Sequence, residues 1–414
     1  MIAEIQKRPF VRLLLFWTIG ILFAMNLRSD LLVGGLLLIP FALFISAIFF
    51  SLFDKPLLSY AHRWMWGCVI AFLVMALAAL YTVSRDDTPP LHASPVKEKA
   101  ILFRQSLVES IDELSLSDEE KSFLATILLG YRESLQRETR EKFAATGISH
   151  ILAVSGFHVA IVCGFISTIF AWLPRSKIGV WLRYLLTMTL LWGFVVTTGM
   201  APSAIRAGTM LSFYLTGRVL RRESDSYNTL AAAAFCMLVY NPHYLFDIGF
   251  QLSYTAVFFI LYLRPFFDQI GPLRNPIIRT LWQWLAVCLS AQIGTMFLSL
   301  YYFKRFSLVF VLANLPVMLF STLLIPMGLL WLLFPGFIPL QIGVEKLTHW
   351  TIAFVYLLYE LPGASLMISF DIYSLITGYA ALIAGLVYLF KRRPWQLILC
   401  LSLFAILLIE RLVI

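Results

Sequence analysis

The sequence predicts an all-α, polytopic helical membrane protein with about 10–13 membrane segments, short and broken ones included. Three observations lead there. Of 414 residues, 60% are hydrophobic and only 13% charged. Mean hydropathy is +0.84, far above that of a soluble domain. Apolar runs of about 18 residues or more recur, each long enough for a hydrocarbon core of ~30 Å. The runs are continuous rather than alternating, which excludes a closed barrel.

The elements fall into three parts. Residues 1–83 hold candidate spans at 10–28, 31–53 and 65–83. Lys7, Arg8 and Arg12 flank the first run. No small-residue cleavage site follows it, so it reads as a retained span. Residues 84–147 are the only long polar segment. There Phe103, Leu107, Ile111 and Leu114 repeat at helical spacing. Ser117 and Glu120 stand at capping-box spacing before a helix expected to end near Gly130. A third, charge-rich helix ends at Gly147. These helices are expected to be amphipathic, on the outer membrane face or over a vestibule. Residues 148–414 hold the remaining candidate spans: 148–172, 180–199, 203–220, 229–243, 247–264, 281–302, 307–334, 345–361, 371–390 and 395–413.

The net charge is +9. Topology accounts for most of it, because cytoplasmic loops collect Lys and Arg. With the N-terminus inside, inside loops carry Lys55, Arg63, Arg175, Lys177, Arg218, Arg221, Arg222, Arg264, Arg274, Arg279, Lys346 and Lys391 to Arg393. Short outside loops are nearly free of basic residues, with Arg28 before the second span, and the C-terminus falls outside. Lys304 and Arg305 break the rule. Either a span is miscounted, or they form a basic mouth for an anionic substrate. Cys68, Cys163, Cys236, Cys288 and Cys400 are scattered singly, indicating neither disulfides nor a zinc site.

Polar groups at membrane depth are costly and default to function. Taken as one helix, 148–172 places Gly156, Ala160 and Gly164 on a packing stripe. His150, Ser155 and His158 occupy the other arc, as channel groups or as satisfied packing residues. Arg206 follows Pro202, which suits a helix start. Arg206 snorkels outward or lines a phosphate passage, and Asp247 is its expected partner. Asp247, Gln251 and Tyr254 share one helical face, as an interior polar surface or as interhelical glue. Asn314 and Pro316, with Pro326, mark either a broken helix beside a passage or a plain kink.

At these motifs the chain resembles the ComEC competence family of bacterial DNA-uptake channels. Residues Gly147 to His158 (G-I-S-H-I-L-A-V-S-G-F-H) resemble its most specific signature. Ala201 to Ala207 resemble its P-S-x-x-R-A segment and Gly249 to Tyr254 its G-F-Q-L-S segment. The Asn314–Pro316 stretch also has a counterpart. The resemblance covers about residues 100–330. It implies an inner-membrane channel passing single-stranded DNA into the cytoplasm. The implied partners are an extracytoplasmic DNA receptor and a cytoplasmic DNA-translocating ATPase. His150, Ser155, His158, Arg206, Asp247 and Gln251 carry over as channel residues. Neither the OB-like nor the metallo-β-lactamase-like domain of many members is expected in this chain. Strand removal is therefore expected to belong to a separate nuclease, and no cofactor or metal is expected.

A DNA path also needs cations for phosphate and aromatic faces for bases. Arg206, Lys304 and Arg305 offer the first; Phe157, Tyr214, Phe250 and Tyr254 offer the second. No P-loop is present, so energy comes from a partner or the membrane potential. Two other readings stay open. One is a transporter of a small or anionic solute using the histidines and Asp247 as a proton relay. The other is an intramembrane hydrolase using Ser155 and His158.

Overall fold

The computed structural model describes residues 8–26, 63–86, 95–220, 225–269, 275–361 and 363–413, with isolated positions within 42–48. The expected span 31–53 lies largely outside the described residues, as do Lys7, Arg28, Lys55, Arg221, Arg222 and Arg274. Helices dominate, and among the described residues the only sheet is two-stranded. The chain is an all-α membrane protein. Among the described residues seven helices are long and apolar enough to cross a membrane, and three shorter apolar ones accompany them. The candidate spans 203–220 and 345–361 correspond to helices outside both sets.

The chain divides into two compact units, residues 1–106 with 159–254 and residues 107–158 with 255–414. The first holds α1 (Pro9–Asn26), α2 (Arg63–Asp86), most of α3 (Pro95–Ile111) and most of α6 (Gly156–Ile169). It also holds α7 (Lys177–Thr197), α8 (Pro202–Val219), α9 (Ser226–Tyr240) and the start of α10 (Ile248–Gln269). Trp17 and Ile21 stand one helical turn apart on α1. They pack with Ala78 of α2, Ala234, Met237 and Leu238 of α9, and Phe250 of α10. Small residues on α2 and α9 admit the indole of Trp17. Each helix has a local reason to start. The Ser176 hydroxyl accepts from Gly179 N–H before α7, and Pro202 opens α8. Asp225 caps α9 while also holding Arg8 Nε at 2.7 Å.

The second unit holds α4 (Asp118–Leu129), α5 (Arg137–Ala145), α11 (Pro276–Phe303), α12 (Phe310–Leu333), α13 (Ile338–Tyr359), α14 (Ile372–Lys391) and α15 (Pro394–Val413). The Ser117–Glu120 capping box forms as the sequence predicts, and Gly130 ends α4 in the left-handed conformation at φ 69°. The placement of α4 differs from expectation. Phe123 through Leu129 are all buried, so α4 is a core helix rather than an amphipathic surface one. Its apolar run, L-A-T-I-L-L, packs against α12 and α13.

Two further expectations are corrected. Residues 148–172 are not one helix: a 3-10 turn at Ser149–Leu152 and an extended Ala153 precede α6. The broken-helix alternative at Asn314 is not found either. α12 runs unbroken with Pro316 and Pro326 inside it.

The pattern gave no warning of β1 (Arg305–Ser307) pairing antiparallel with β2 (Ser365–Met367). These strands lie in the loops that follow α11 (Pro276–Phe303) and α13 (Ile338–Tyr359). Gly147 reaches the same place, because a Cβ there would lie 2.8 Å from Ser307 Cβ.

Candidate functional site

The signature residues build a bend in the second unit. Gly147 takes φ +79°, open to glycine at little cost. Ile148 N–H then donates to Phe143 O at 3.0 Å, closing α5. The Arg132 guanidinium donates to Leu152 O at 2.7 Å, satisfying a carbonyl freed by the 3-10 turn.

Ser155 and His158 then start α6 together. His158 N–H donates to Ser155 Oγ at 3.4 Å, and Ser155 N–H donates to His158 Nδ1 at 3.2 Å. Ser155 Oγ lies 2.6 Å from the same Nδ1. This is a capping box with imidazole in the place of glutamate. Because Nδ1 receives the N–H, the proton of the neutral ring sits on Nε2. His158 is fully buried, and Nε2 has no hydrogen-bond partner among the described residues. His150 is exposed on the 3-10 turn. Gly156, Ala160 and Gly164 lie on the opposite, exposed face of α6, and a Cβ at Gly164 would meet nothing within 4 Å.

In the first unit the other two motifs meet. Arg206 of α8 is buried, with Nη1 3.2 Å from Asp247 Oδ1, the partner its sequence position predicts. Asp247 is not inside the helix but caps it, accepting Phe250 N–H at 2.7 Å through the same oxygen. Gly249 explains its own presence: a Cβ would sit 2.5 Å from Arg206 Nη2. The Gln251 amide turns back to Leu245 O at 3.0 Å, so it does not continue the Asp247 stripe outward. The Tyr254 ring packs on Phe250 at 4.3 Å between centroids. Arg206 Nε and Tyr254 Oη are buried without a hydrogen-bond partner among the described residues.

The remaining candidates lie in the second unit. Lys304 ends α11 in the left-handed region at φ 54° and is exposed. Arg305 lies 3.7 Å from Glu141. Asn314 is buried, its amide donating to Phe310 O at 2.7 Å.

One polar network was missed. Tyr356 and Thr139 both donate to Glu119 Oε1, and Lys142 Nζ lies 3.8 Å over the Tyr356 ring. His349 Nδ1 lies 2.8 Å from Glu120, and Ser115 N–H donates to Glu345 at 2.9 Å. Glu345, His349 and Tyr356 share one face of α13. That spacing was the available signal; their partners, Ser115 ahead of α4 and Glu119 and Glu120 on α4, were not. Burial raises the pKa of Glu120, but the Ser117 N–H, His349 and the Ser117 hydroxyl outweigh it and hold the carboxyl below its ordinary value. Among the described residues no group of three or more His, Cys, Asp or Glu side chains is arranged to hold a metal ion.

Apolar helices that keep a capped imidazole and a buried Arg–Asp pair define a helical membrane protein with polar side chains retained in its interior. The family model described as Competence protein matches residues 127–394, and the chain belongs to that family. This bears out the ComEC resemblance. The chain is 29% identical over 234 residues to ComE operon protein 3 of Bacillus subtilis (strain 168), covering 56% of this chain and 28% of that protein. It is 27% identical over 166 residues to an uncharacterized protein of Aquifex aeolicus (strain VF5), covering 40% of this chain and 38% of the relative. The matches thus span well under half the length of either relative. No solved structure matches the chain.

Proposed function

We propose that the chain is a channel that passes single-stranded DNA across the bacterial cytoplasmic membrane during DNA uptake for transformation. The observation that carries this reading is the Competence match across residues 127–394, which spans all the polar motifs. In this reading the N-terminus is cytoplasmic and the C-terminus extracytoplasmic. The partners are membrane lipid, an outer DNA receptor, a cytoplasmic DNA-translocating ATPase and a separate nuclease. His150, Ser155, His158, Arg206, Asp247, Gln251, Tyr254, Asn314, Lys304 and Arg305 serve the path, and Gly156, Ala160 and Gly164 serve helix packing. The chain itself does no covalent chemistry.

The test is uptake of labelled DNA into the cytoplasm of cells carrying the wild type, His158→Ala or Arg206→Ala, at equal membrane levels. The reading expects entry only with the wild type. Normal import by a deletion strain would overturn it and bring the solute-transporter reading forward.

One observation favours an intramembrane hydrolase: the 2.6 Å approach of Ser155 Oγ to His158 Nδ1. The capping box accounts for that approach without catalysis. The two readings part at Ser155→Ala. A serine nucleophile is lost and turnover with it, whereas a channel loses one cap, about 0.5–2 kcal/mol, and largely tolerates the change.

A further inference from the structure

The Arg206–Asp247 pair is assembled unlike a structural ion pair. Asp247 does not depend on Arg206, because Phe250 N–H holds the same Oδ1 at 2.7 Å. The guanidinium makes one contact to it, at 3.2 Å. The guanidinium side chain is 8% exposed while the carboxylate is 46% exposed. Among the described residues neither Arg206 Nε nor the Tyr254 hydroxyl has a hydrogen-bond partner. Tyr244 and Tyr254 lie within electrostatic reach of the guanidinium.

The setting is also wrong for a cation and right for an anion. The guanidinium lies against Gly249, in the first turn of α10, with Nη2 2.5 Å from where a Cβ would be. A helix N-terminus repels positive charge and attracts anions. Resting there, Arg206 needs a negative group, and Asp247 supplies it through one oxygen. A buried guanidinium with an unfilled donor and a neighbouring unfilled hydroxyl has capacity for a second set of acceptor oxygens.

We infer that Asp247 is a resident counter-ion holding an anion subsite, and that phosphate oxygens take its place. The ligand chemistry is that of a phosphodiester or a free phosphate. Arg206 Nε–H and Nη–H and the Tyr254 O–H are the donors, and the start of α10 adds its dipole. The exchange is one charge-assisted acceptor for another, with no bond made or broken. This rests on the DNA-channel reading for the identity of the phosphodiester, not for the existence of the subsite.

The experiment uses the purified full chain in detergent, with two probes: labelled single-stranded oligothymidylate and inorganic phosphate. Asp247→Asn keeps the cap, since Asn and Asp cap equally well, but removes the competing charge. It is expected to tighten oligothymidylate binding about tenfold. Tyr254→Phe keeps the ring on Phe250 and is expected to weaken binding a few-fold. Arg206→Gln is expected to lower the salt dependence by about one phosphate contact. Equal affinities of the wild type and Asp247→Asn for both probes would overturn the inference. Tighter phosphate binding by Asp247→Asn with no oligothymidylate binding by any form keeps the subsite and overturns the DNA reading instead.

Discussion

Gly147→Ala should be among the most damaging single-methyl changes in the signature. Two costs add. A non-glycine residue at φ +79° is in the left-handed region, worth about 1–2 kcal/mol. The new Cβ would lie 2.8 Å from Ser307 Cβ and 3.0 Å from Phe310 Cβ. Both atoms are fixed to backbone, one on β1 and one at the start of α12, so neither moves alone. Overpacking of this kind costs roughly 1–3 kcal/mol. The sum is about 2–5 kcal/mol, a large share of a domain's stability of ~5–15 kcal/mol. Thermal unfolding of the purified protein in detergent measures it. Ser307→Gly in the Gly147→Ala background separates the two costs, recovering roughly 1 kcal/mol of contact while leaving the backbone cost. An unshifted midpoint for Gly147→Ala would refute the reasoning.

Gly249→Ala should push the Arg206 guanidinium off its 3.2 Å contact with Asp247, costing about 1.5–3 kcal/mol as a lost charge-assisted hydrogen bond, with a lower unfolding midpoint as readout. Arg392 ends α14 in the left-handed region at φ 53°, so Arg392→Gly should raise the midpoint by the equivalent of up to ~1 kcal/mol. Glu120 has a folded-state pKa below its ordinary 4.5. Its contribution is therefore present above that value and lost as pH falls through the lower folded one. Glu120→Gln should flatten the acid limb of the stability profile, and parallel profiles for the two proteins would count against this.

What the sequence allowed depended on distance along the chain. The helical membrane class follows from runs of apolar residues, and the α4 capping box from four neighbouring positions. The Arg206–Asp247 pair was also legible, because a buried guanidinium requires an anion and few carboxylates lie nearby in sequence. The position of α4 was not. That helix falls in the only long polar segment, which suggested a surface helix, whereas Glu119 and Glu120 pair with α13 residues 237 and 229 positions away. The β1–β2 pairing was hidden for the same reason, since three-residue strands carry too little pattern. The capping geometry of Ser155 and His158 was not read from the sequence for a different reason. Serine three residues before histidine has the spacing of a capping box, but a histidine in an apolar run reads first as chemistry.

The glycines of the two motifs that carry them gain a common explanation. Gly147 sits where β1 and α12 press on the end of α5, and Gly249 where Arg206 crosses the start of α10. In both places a motif written as neighbours in sequence is completed by a residue from far along the chain. The missing side chain is the space that residue occupies. The polar residues beside each glycine are then fixed by capping: His158 to the start of α6, Asp247 to the start of α10. Capping leaves His158 Nε2, Arg206 Nε and Tyr254 Oη as buried polar atoms without hydrogen-bond partners among the described residues. In the proposed reading these three side-chain atoms, left over once the two helix starts are capped, are the groups on which water or a ligand would be received.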